Sequence, residues 1–413
     1  MELPGPELVL APEVALFVVG STLAGAAFGL VTGLVPGLHA NNVALLLASV
    51  APGVPAPPLF LGCAMLAAGV VHSFTSVVPA LALGVPDAEM APTAVPGHRL
   101  VLEGAGREAI RLSALGSALA VCLAVPLAIP VTLLMEAIYP TLRDNIRLLL
   151  GGVVAGLLVT ERTRWSAAGG ALSFALAAGL GLVTLDLDPD APLEAGGILA
   201  PLFAGLFGAP FLIDAMRGGG VPPQREPTIR CPRTRIAVAA VAGTVAGALV
   251  GYLPGISAAI AGVAVLVVLP GGVDDRGYVI ATSGVTTANA IFALFALVTI
   301  GRPRSGVMVA VEEVGVPLDL PVLVASVVLA GAVGFVAVLT LGERYFAVVA
   351  RADHVVASAG VLCLLVAVSG LLTGFVGVAV FVLATAIGLV PVRFGAYRVH
   401  LMGVLIGPLL VAG

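Results

Sequence analysis

The chain has 413 residues, of which 60% are hydrophobic and only 10% are charged. Soluble domains carry about 25% charged residues, so this chain has too few to cover a water-facing surface, and its mean hydropathy is +1.15. The composition excludes a soluble enzyme, a nucleic-acid-binding protein and a disordered scaffold. The net charge of −4 indicates no polyanionic partner. The partner that the composition predicts is the lipid bilayer.

Continuous apolar runs predict an all-α polytopic membrane protein, because the strands of a membrane β-barrel would alternate instead. A spanning helix needs roughly 20 apolar residues, and the runs suffice for about twelve helical passes. The run at 355–390 alone is long enough for two. The runs lie near residues 13–35, 59–83, 110–135, 145–160, 166–185, 195–213, 236–270, 278–300, 318–341, 355–390 and 396–412.

The distribution of arginine predicts the orientation, because basic loops stay in the cytoplasm. The polar interruption from Met216 to Arg235 holds five arginines against one acidic residue and is assigned inside. One span earlier, the loop from Leu185 to Glu194 has no basic residue and is assigned outside. The acidic segment before the first run is also assigned outside.

Two segments of the chain share a pattern at a constant offset. GLVTGLVPGLHANNVALLLASVAPG starts at Gly29, and GALVGYLPGISAAIAGVAVLVVLPG starts at Gly247, 218 residues later. The predicted organisation is a first transmembrane repeat over 1–215, an Arg-rich cytoplasmic linker over 216–235 and a second transmembrane repeat over 236–413. The first copy follows an outside terminus and the second follows an inside linker. The halves are therefore predicted to be inverted, as in many secondary transporters.

A Pro-Gly pair interrupts the apolar run in each copy, at Pro36-Gly37 and Pro254-Gly255. Proline removes a helix donor and clashes with the preceding turn, so each helix is predicted to break there and to bind an anion or ion with its exposed backbone ends. The competing interpretations are packing kinks and, for the neighbouring polar side chains, interhelical hydrogen bonds. Those side chains are candidate ligands: His39, Asn41, Asn42 and Ser257.

Polar clusters downstream of the two breaks supply further candidates. Ser and Thr singly serve helix packing in membranes, but clustering beside broken helices also fits substrate binding. The residues are Ser73, Thr75 and Ser76 in the first copy, and Thr286, Thr287 and Asn289 in the second.

Two segments look too irregular for a helix and are predicted to form re-entrant or loop-forming tips: Gly84 to Arg99, and Gly301 to Gly306. In the second tip, Arg302, Arg304 and Ser305 are candidate substrate ligands, because arginine makes paired hydrogen bonds with carboxylates. The alternative is that these arginines are interfacial charges that set the topology.

No catalytic motif is present. The five histidines are scattered, and the chain has no nucleophile elbow, Walker sequence or dinucleotide fingerprint. The expectation is a protein that is not an enzyme, holds no cofactor or metal centre, and draws energy from a Na⁺ or H⁺ gradient.

These motifs resemble those of one family, the large permease subunit of tripartite tricarboxylate transporters (TctA type). The resemblance rests on the repeated Pro-Gly break, on LGVPDAEMAPTAVPGHRLVLEGAGREAIRLSALGSALA from Leu83, and on TSGVTTANAIFALFALVTIGRPRSGVMV from Thr282. It implies a cation-driven carboxylate permease that works with a small membrane subunit and an extracytoplasmic solute-binding protein. The chain departs from the family pattern at Leu38 to Asn42 and at Arg302 and Arg304, which indicates a divergent member, with an archaeal source as one candidate.

The prediction is a secondary active transporter for organic anions, mainly di- and tricarboxylates, spanning the plasma membrane of a prokaryotic cell many times. The alternatives are an intramembrane enzyme or a flippase for a lipid-linked substrate, and a channel-like or structural membrane component. The substrate, the direction of transport and the oligomeric state stay open.

Overall fold

The computed structural model describes residues 12–36, 40–83, 91–187, 190, 192, 198–216, 222–253, 257, 258, 261, 262, 265, 274–349, 351 and 353–412, except for the side chains of 41, 42, 45, 46, 49, 91–95, 354 and 412. Over these residues the chain is all-helical.

The helices of the first part of the chain are α1 Pro12–Leu34, α2 Ala40–Val50, α3 Pro58–Thr75, α4 Val77–Leu83, α5 Ala91–Leu102, α6 Gly106–Asp144, α7 Ile146–Val159, α8 Arg164–Thr184, α9 Leu199–Phe203 and α10 Ala209–Ala215. A π-helical turn, Ala204–Gly208, joins α9 to α10.

The helices of the second part are α11 Arg233–Tyr252, α12 Asp275–Ile300, α13 Gly306–Glu313, α14 Leu320–Val349, α15 His354–Gly388, α16 Val390–Phe394 and α17 Gly403–Ala412. Short 3₁₀ turns lie at Ala51–Gly53 and Arg398–Met402.

Eight helical stretches among the described residues are long and apolar enough to cross a membrane. They are Pro12–Leu34, Pro58–Leu83, Gly106–Asp144, Arg164–Thr184, Arg233–Tyr252, Asp275–Ile300, Leu320–Val349 and Val355–Phe394. Three shorter apolar helices accompany them. The protein is therefore a helical multi-pass membrane protein, as predicted, but the expected number of about twelve passes is not confirmed.

The stretch Val355–Phe394 folds back on itself. Gly374, inside α15, has φ +61°, which interrupts the helix and suits glycine because it has no Cβ. On either side of the turn, a Cβ placed on Gly370 would lie 3.5 Å from Val378, and Leu365 and Phe381 are buried in one cluster. Gly374 thus divides this apolar stretch into two helical segments of about 20 residues each, and each segment is long enough to span a membrane.

Closely spaced helix pairs form the centre of the fold, and glycines allow the close approach. A Cβ on Gly25 of α1 would overlap the backbone of Ala64 on α3, and a Cβ on Gly243 of α11 would overlap Ala281 on α12. Small residues let helix backbones approach in membranes. The same contacts recur further along both pairs, at Gly33 beside Thr75 and at Gly251 beside Phe292. Each pair is therefore parallel.

Each central pair is joined by a long helix from the other part of the chain. α14 packs along α3, with Ser326 Oγ donating to Cys63 O at 3.2 Å and Gly334 against Phe74. α6 packs along α12 in the same direction: Glu108 pairs with Arg276 at 2.9 Å, and further along both helices Ser113 Oγ and Ser283 Oγ lie 2.7 Å apart.

The two groups of helices run in opposite directions. Arg107 near the start of α6 pairs with Glu343 near the end of α14 at 2.6 Å, whereas Val121 further along α6 meets Gly331 nearer the start of α14. α6 and α14 are thus antiparallel. Since α1 and α3 run with α14, and α11 and α12 run with α6, α1 and α11 point in opposite directions.

Candidate functional site

A small cavity lies where α3 meets α12, near the middle of the spanning stretches Pro58–Leu83 and Asp275–Ile300. Its volume is about 30 Å³, which is room for about two water molecules and too little for a tricarboxylate. The described lining residues are Ala40, Leu66, Gly69, Val70, Ser73, Thr286, Asn289, Ala290, Ser305, Val307 and Met308. Four predicted ligands are therefore brought together: Ser73, Thr286, Asn289 and Ser305.

Hydroxyl groups of the cavity wall are fixed by their own helices. Ser73 Oγ donates to Val70 O at 2.7 Å, and Thr286 Oγ1 donates to Ser283 O at 3.0 Å. Thr287, also predicted, is fully buried beside them, and its Oγ1 lies 3.5 Å from Ser73 Oγ. The predicted clusters of the two halves thus meet at this point.

Asn289 is the most unusual member of the wall. The residue is only 7% exposed, and its Oδ1 has no hydrogen-bond partner among the described residues. Buried amide groups are normally paired. An unpaired one that lines a cavity marks a place where a ligand or water would be stabilised.

The second tip covers one side of the cavity. Gly301, with φ +65°, ends α12, and Ser305 begins α13 by accepting from the Met308 N–H at 3.3 Å. Val307 packs against Gly69, where an added Cβ would lie only 2.9 Å from Val307 Cγ2. The tip therefore turns back from the end of α12 to the middle of α3.

Arginines of this tip differ in their surroundings. Arg302 is exposed. Arg304 is half-buried. Its Cζ lies 5.3 Å from the centroid of the Tyr139 ring, and its guanidinium donates to the Tyr139 hydroxyl. Its Nε is buried without a hydrogen-bond partner in the described part of the chain.

Several predicted ligands lie away from the cavity. Thr75 faces α1, against Gly33, and its Oγ1 donates to Val71 O at 2.9 Å. Ser76 is buried at the end of α3. Pro36 is buried in the turn that follows α1, and Ser257 is half-buried, with its carbonyl accepting from the Ala261 N–H at 3.1 Å.

Other predicted ligands fall outside the described residues: Gly37, His39, Pro254 and Gly255, together with the side chains of Asn41 and Asn42. The interruption itself is visible at both places, since α1 ends at Leu34 and α11 ends at Tyr252. The first tip differs from the prediction. Residues 84–90 lie outside the description, and a helix begins at Ala91 although Pro96 lies inside it.

Sequence reasoning missed the apolar part of the lining: Gly69 and Met308 line the cavity without carrying chemistry, so no pattern pointed to them. His72, which precedes Ser73 on α3, is buried, and its Nδ1 lies 3.2 Å from Thr32 Oγ1 of α1.

The fold and the cavity define a class of protein. It is a polytopic helical membrane protein whose described helices run in two opposite directions, with a small cavity that includes polar side chains near their middle. No group of three or more His, Cys, Asp or Glu residues that could hold a metal occurs in the described ranges.

The comparisons with known proteins name the family. Residues 19–403 match the tripartite tricarboxylate transporter TctA family, so the chain belongs to that family, and the predicted resemblance is confirmed. An uncharacterized protein of Methanocaldococcus jannaschii is 26% identical over 397 residues, which are 93% of this chain and 96% of that relative. No solved structure matches the chain. As a member of a transporter family, the protein is a transporter and not an enzyme.

Proposed function

We propose that this chain is the membrane permease of an organic-anion carrier that moves di- or tricarboxylates across the plasma membrane of a prokaryotic cell, coupled to a Na⁺ or H⁺ gradient. Family membership supports the class of substrate. The single observation that carries the mechanism is the cavity between α3 and α12, because it joins polar side chains from the two parts of the chain at mid-helix.

Two inverted halves, 1–215 and 236–413, connected by the linker at 216–235, form the framework of this proposal. Its support is the exchange of helices described above: α14 packs along α3, and α6 packs along α12. The opposite directions of α1 and α11 also support it. In such carriers, one part moves against the other around a central site.

The anion site proposed here lies between the tip that holds Arg304 and the interrupted ends of α1 and α11. Arg304 supplies a positive charge and an unpaired donor. The backbone ends at Pro36-Gly37 and Pro254-Gly255, with His39, Asn41, Asn42 and Ser257 next to them, complete the predicted set. The cavity between α3 and α12 is too small for the anion, so the proposal requires the two parts of the chain to move apart when the anion binds.

Partners are part of the same proposal. The family is named for a tripartite system, and we expect a small membrane subunit and an extracytoplasmic solute-binding protein to work with this permease. Genes for such proteins beside this one would support the assembly.

Uptake into proteoliposomes tests the function. The full chain is reconstituted alone and together with the two accessory proteins, and radiolabelled di- and tricarboxylates are offered under an imposed Na⁺ or pH gradient. Gradient-dependent, saturable accumulation is expected. Equal, non-saturable flux without a gradient would indicate a channel, and no flux of any organic anion in either reconstitution would contradict the proposal.

A further inference from the structure

We propose that the cavity between α3 and α12 binds one Na⁺ ion through neutral oxygen atoms of Ser73, Thr286 and Asn289. The role of this Na⁺ as a coupling ion depends on the function proposed above. The binding of the ion does not depend on it.

Each hydroxyl has one hydrogen to donate and two lone pairs to accept. The hydrogen of Ser73 is donated to Val70 O at 2.7 Å, and that of Thr286 to Ser283 O at 3.0 Å. Towards the cavity, both oxygens are therefore left with lone pairs only. Two acceptor oxygens facing one small space suit a cation.

Asn289 provides an independent observation. It is more than nine-tenths buried, lines the same cavity, and its Oδ1 has no partner among the described residues. An amide oxygen left unpaired in a buried place is costly. A bound cation would satisfy it together with the two hydroxyl oxygens.

Size and charge identify the ion. The cavity of about 30 Å³ has room for a small cation, and hydroxyl and amide oxygens are the kind of ligand that hard cations take. The described lining includes no carboxylate. A buried divalent ion would therefore be uncompensated, and a single positive charge suits the site better.

The position of the site suggests how the ion acts. Ser73 belongs to the first part of the chain, Thr286 and Asn289 belong to the second, and the tip residue Ser305 covers the cavity. An ion held by both parts favours the arrangement in which α3 and α12 are close. Binding of Na⁺ is thereby linked to the closed state of the carrier.

Thermal unfolding of the purified full chain in detergent tests the site, with NaCl replaced stepwise by KCl at constant total salt. An ion that binds only the folded protein raises Tm with its concentration. We expect a saturable rise with Na⁺ that K⁺ does not reproduce. Thr286→Val and Ser73→Ala should each need about tenfold more Na⁺ for the same rise, and Thr286→Ser, which keeps the oxygen, should retain most of the response.

Thr244→Val is the matched control. Thr244 is also a buried threonine that donates to its own helix, to Ala240 O at 2.8 Å, but it does not line the cavity. Its variant should titrate with Na⁺ as the unmodified protein does. Equal Tm curves in Na⁺ and K⁺, or Thr286→Val behaving like Thr244→Val, would overturn the site and indicate that water alone occupies it.

Uptake measurements separate this proposal from the one on which it builds. Carboxylate uptake driven by a pH gradient, with no effect of Na⁺ on Tm, would leave the carrier function and remove the Na⁺ site. A specific Na⁺ effect on Tm without uptake of any organic anion would support the Na⁺ site and contradict the carrier function.

Discussion

Glu108 on α6 and Arg276 on α12 form a two-pronged ion pair between the first and second parts of the chain. Arg276 Nε lies 2.9 Å from Oε1 of Glu108, and its NH2 lies 3.0 Å from Oε2. Glu108 is 4% exposed and also accepts from the Arg230 N–H of the linker at 2.7 Å. One carboxylate thus ties together the first and second parts of the chain and the segment between them.

Replacing this carboxylate should destabilise the protein strongly. Removal of one partner from a buried ion pair leaves the other charge uncompensated and costs about 3 kcal/mol, so Glu108→Gln should lower Tm in detergent markedly. The control is Arg235→Gln, because Arg235 pairs with Asp274 at 2.7 Å while 52% of its side chain is exposed. Such exposed pairs contribute about 0–1 kcal/mol. Equal losses of Tm in the two variants would contradict the role of Glu108.

The close contact of α1 with α3 gives a second prediction, which compares two glycines of α1. A Cβ on Gly25 would overlap the backbone of Ala64, whereas a Cβ on Gly20 would meet nothing within 4 Å. Gly25→Ala should therefore push the helices apart and cost about 1–3 kcal/mol. Gly20→Ala should leave Tm unchanged or raise it, since alanine favours a helix by about 0.5–1 kcal/mol over glycine. Similar Tm values for both variants would show that α1 and α3 are not packed this closely.

The sequence predicted the features that depend on local chemistry. Apolar runs gave the helices, because a lipid-facing helix is apolar around most of its surface. The proline at position 36 lies just beyond the end of α1 at Leu34, as the missing donor requires. The confirmed family resemblance came from motifs of the same local kind.

Side-chain direction was harder to predict. Ser73 and Thr75 are two positions apart on α3, and such positions do not share a face of a helix. Ser73 consequently reaches the cavity while Thr75 faces α1. A polar cluster in a sequence shows that polar groups are present at one depth, but the packing partners decide which of them share a site.

Acid should weaken the fold through His98. Its Nδ1–H donates to Leu81 O at 2.8 Å, and burial lowers the pKa of His98 below the ordinary value of 6.5. The unfolded chain then binds more protons in the interval between the two pKa values. Stability is therefore fully present above pH 6.5 and falls as the pH drops through that value towards the folded pKa.

Substitution of His98 tests this pH dependence of stability. In His98→Asn the amide nitrogen takes the position of Nδ1, which keeps a donor for Leu81 O but removes the titration. The fall of Tm between roughly pH 7 and pH 5 should be shallower in the variant. The same fall in both proteins would assign the pH dependence to other groups.

Arg304 and Arg302 should differ in their effect on transport, although both belong to the second tip. Arg304 is half-buried over Tyr139 with an unpaired Nε, while Arg302 is exposed to screening by solvent. If Arg304 binds a substrate carboxylate, Arg304→Gln should raise the KM for uptake about tenfold, the effect of losing a hydrogen bond to a charged group. Arg304→Lys should raise the KM less than Arg304→Gln does, because lysine keeps the charge but loses the planar pair of donors. Arg302→Gln should change KM little. An equal rise for Arg304→Gln and Arg302→Gln would favour the interpretation that both arginines set the topology and neither binds the anion.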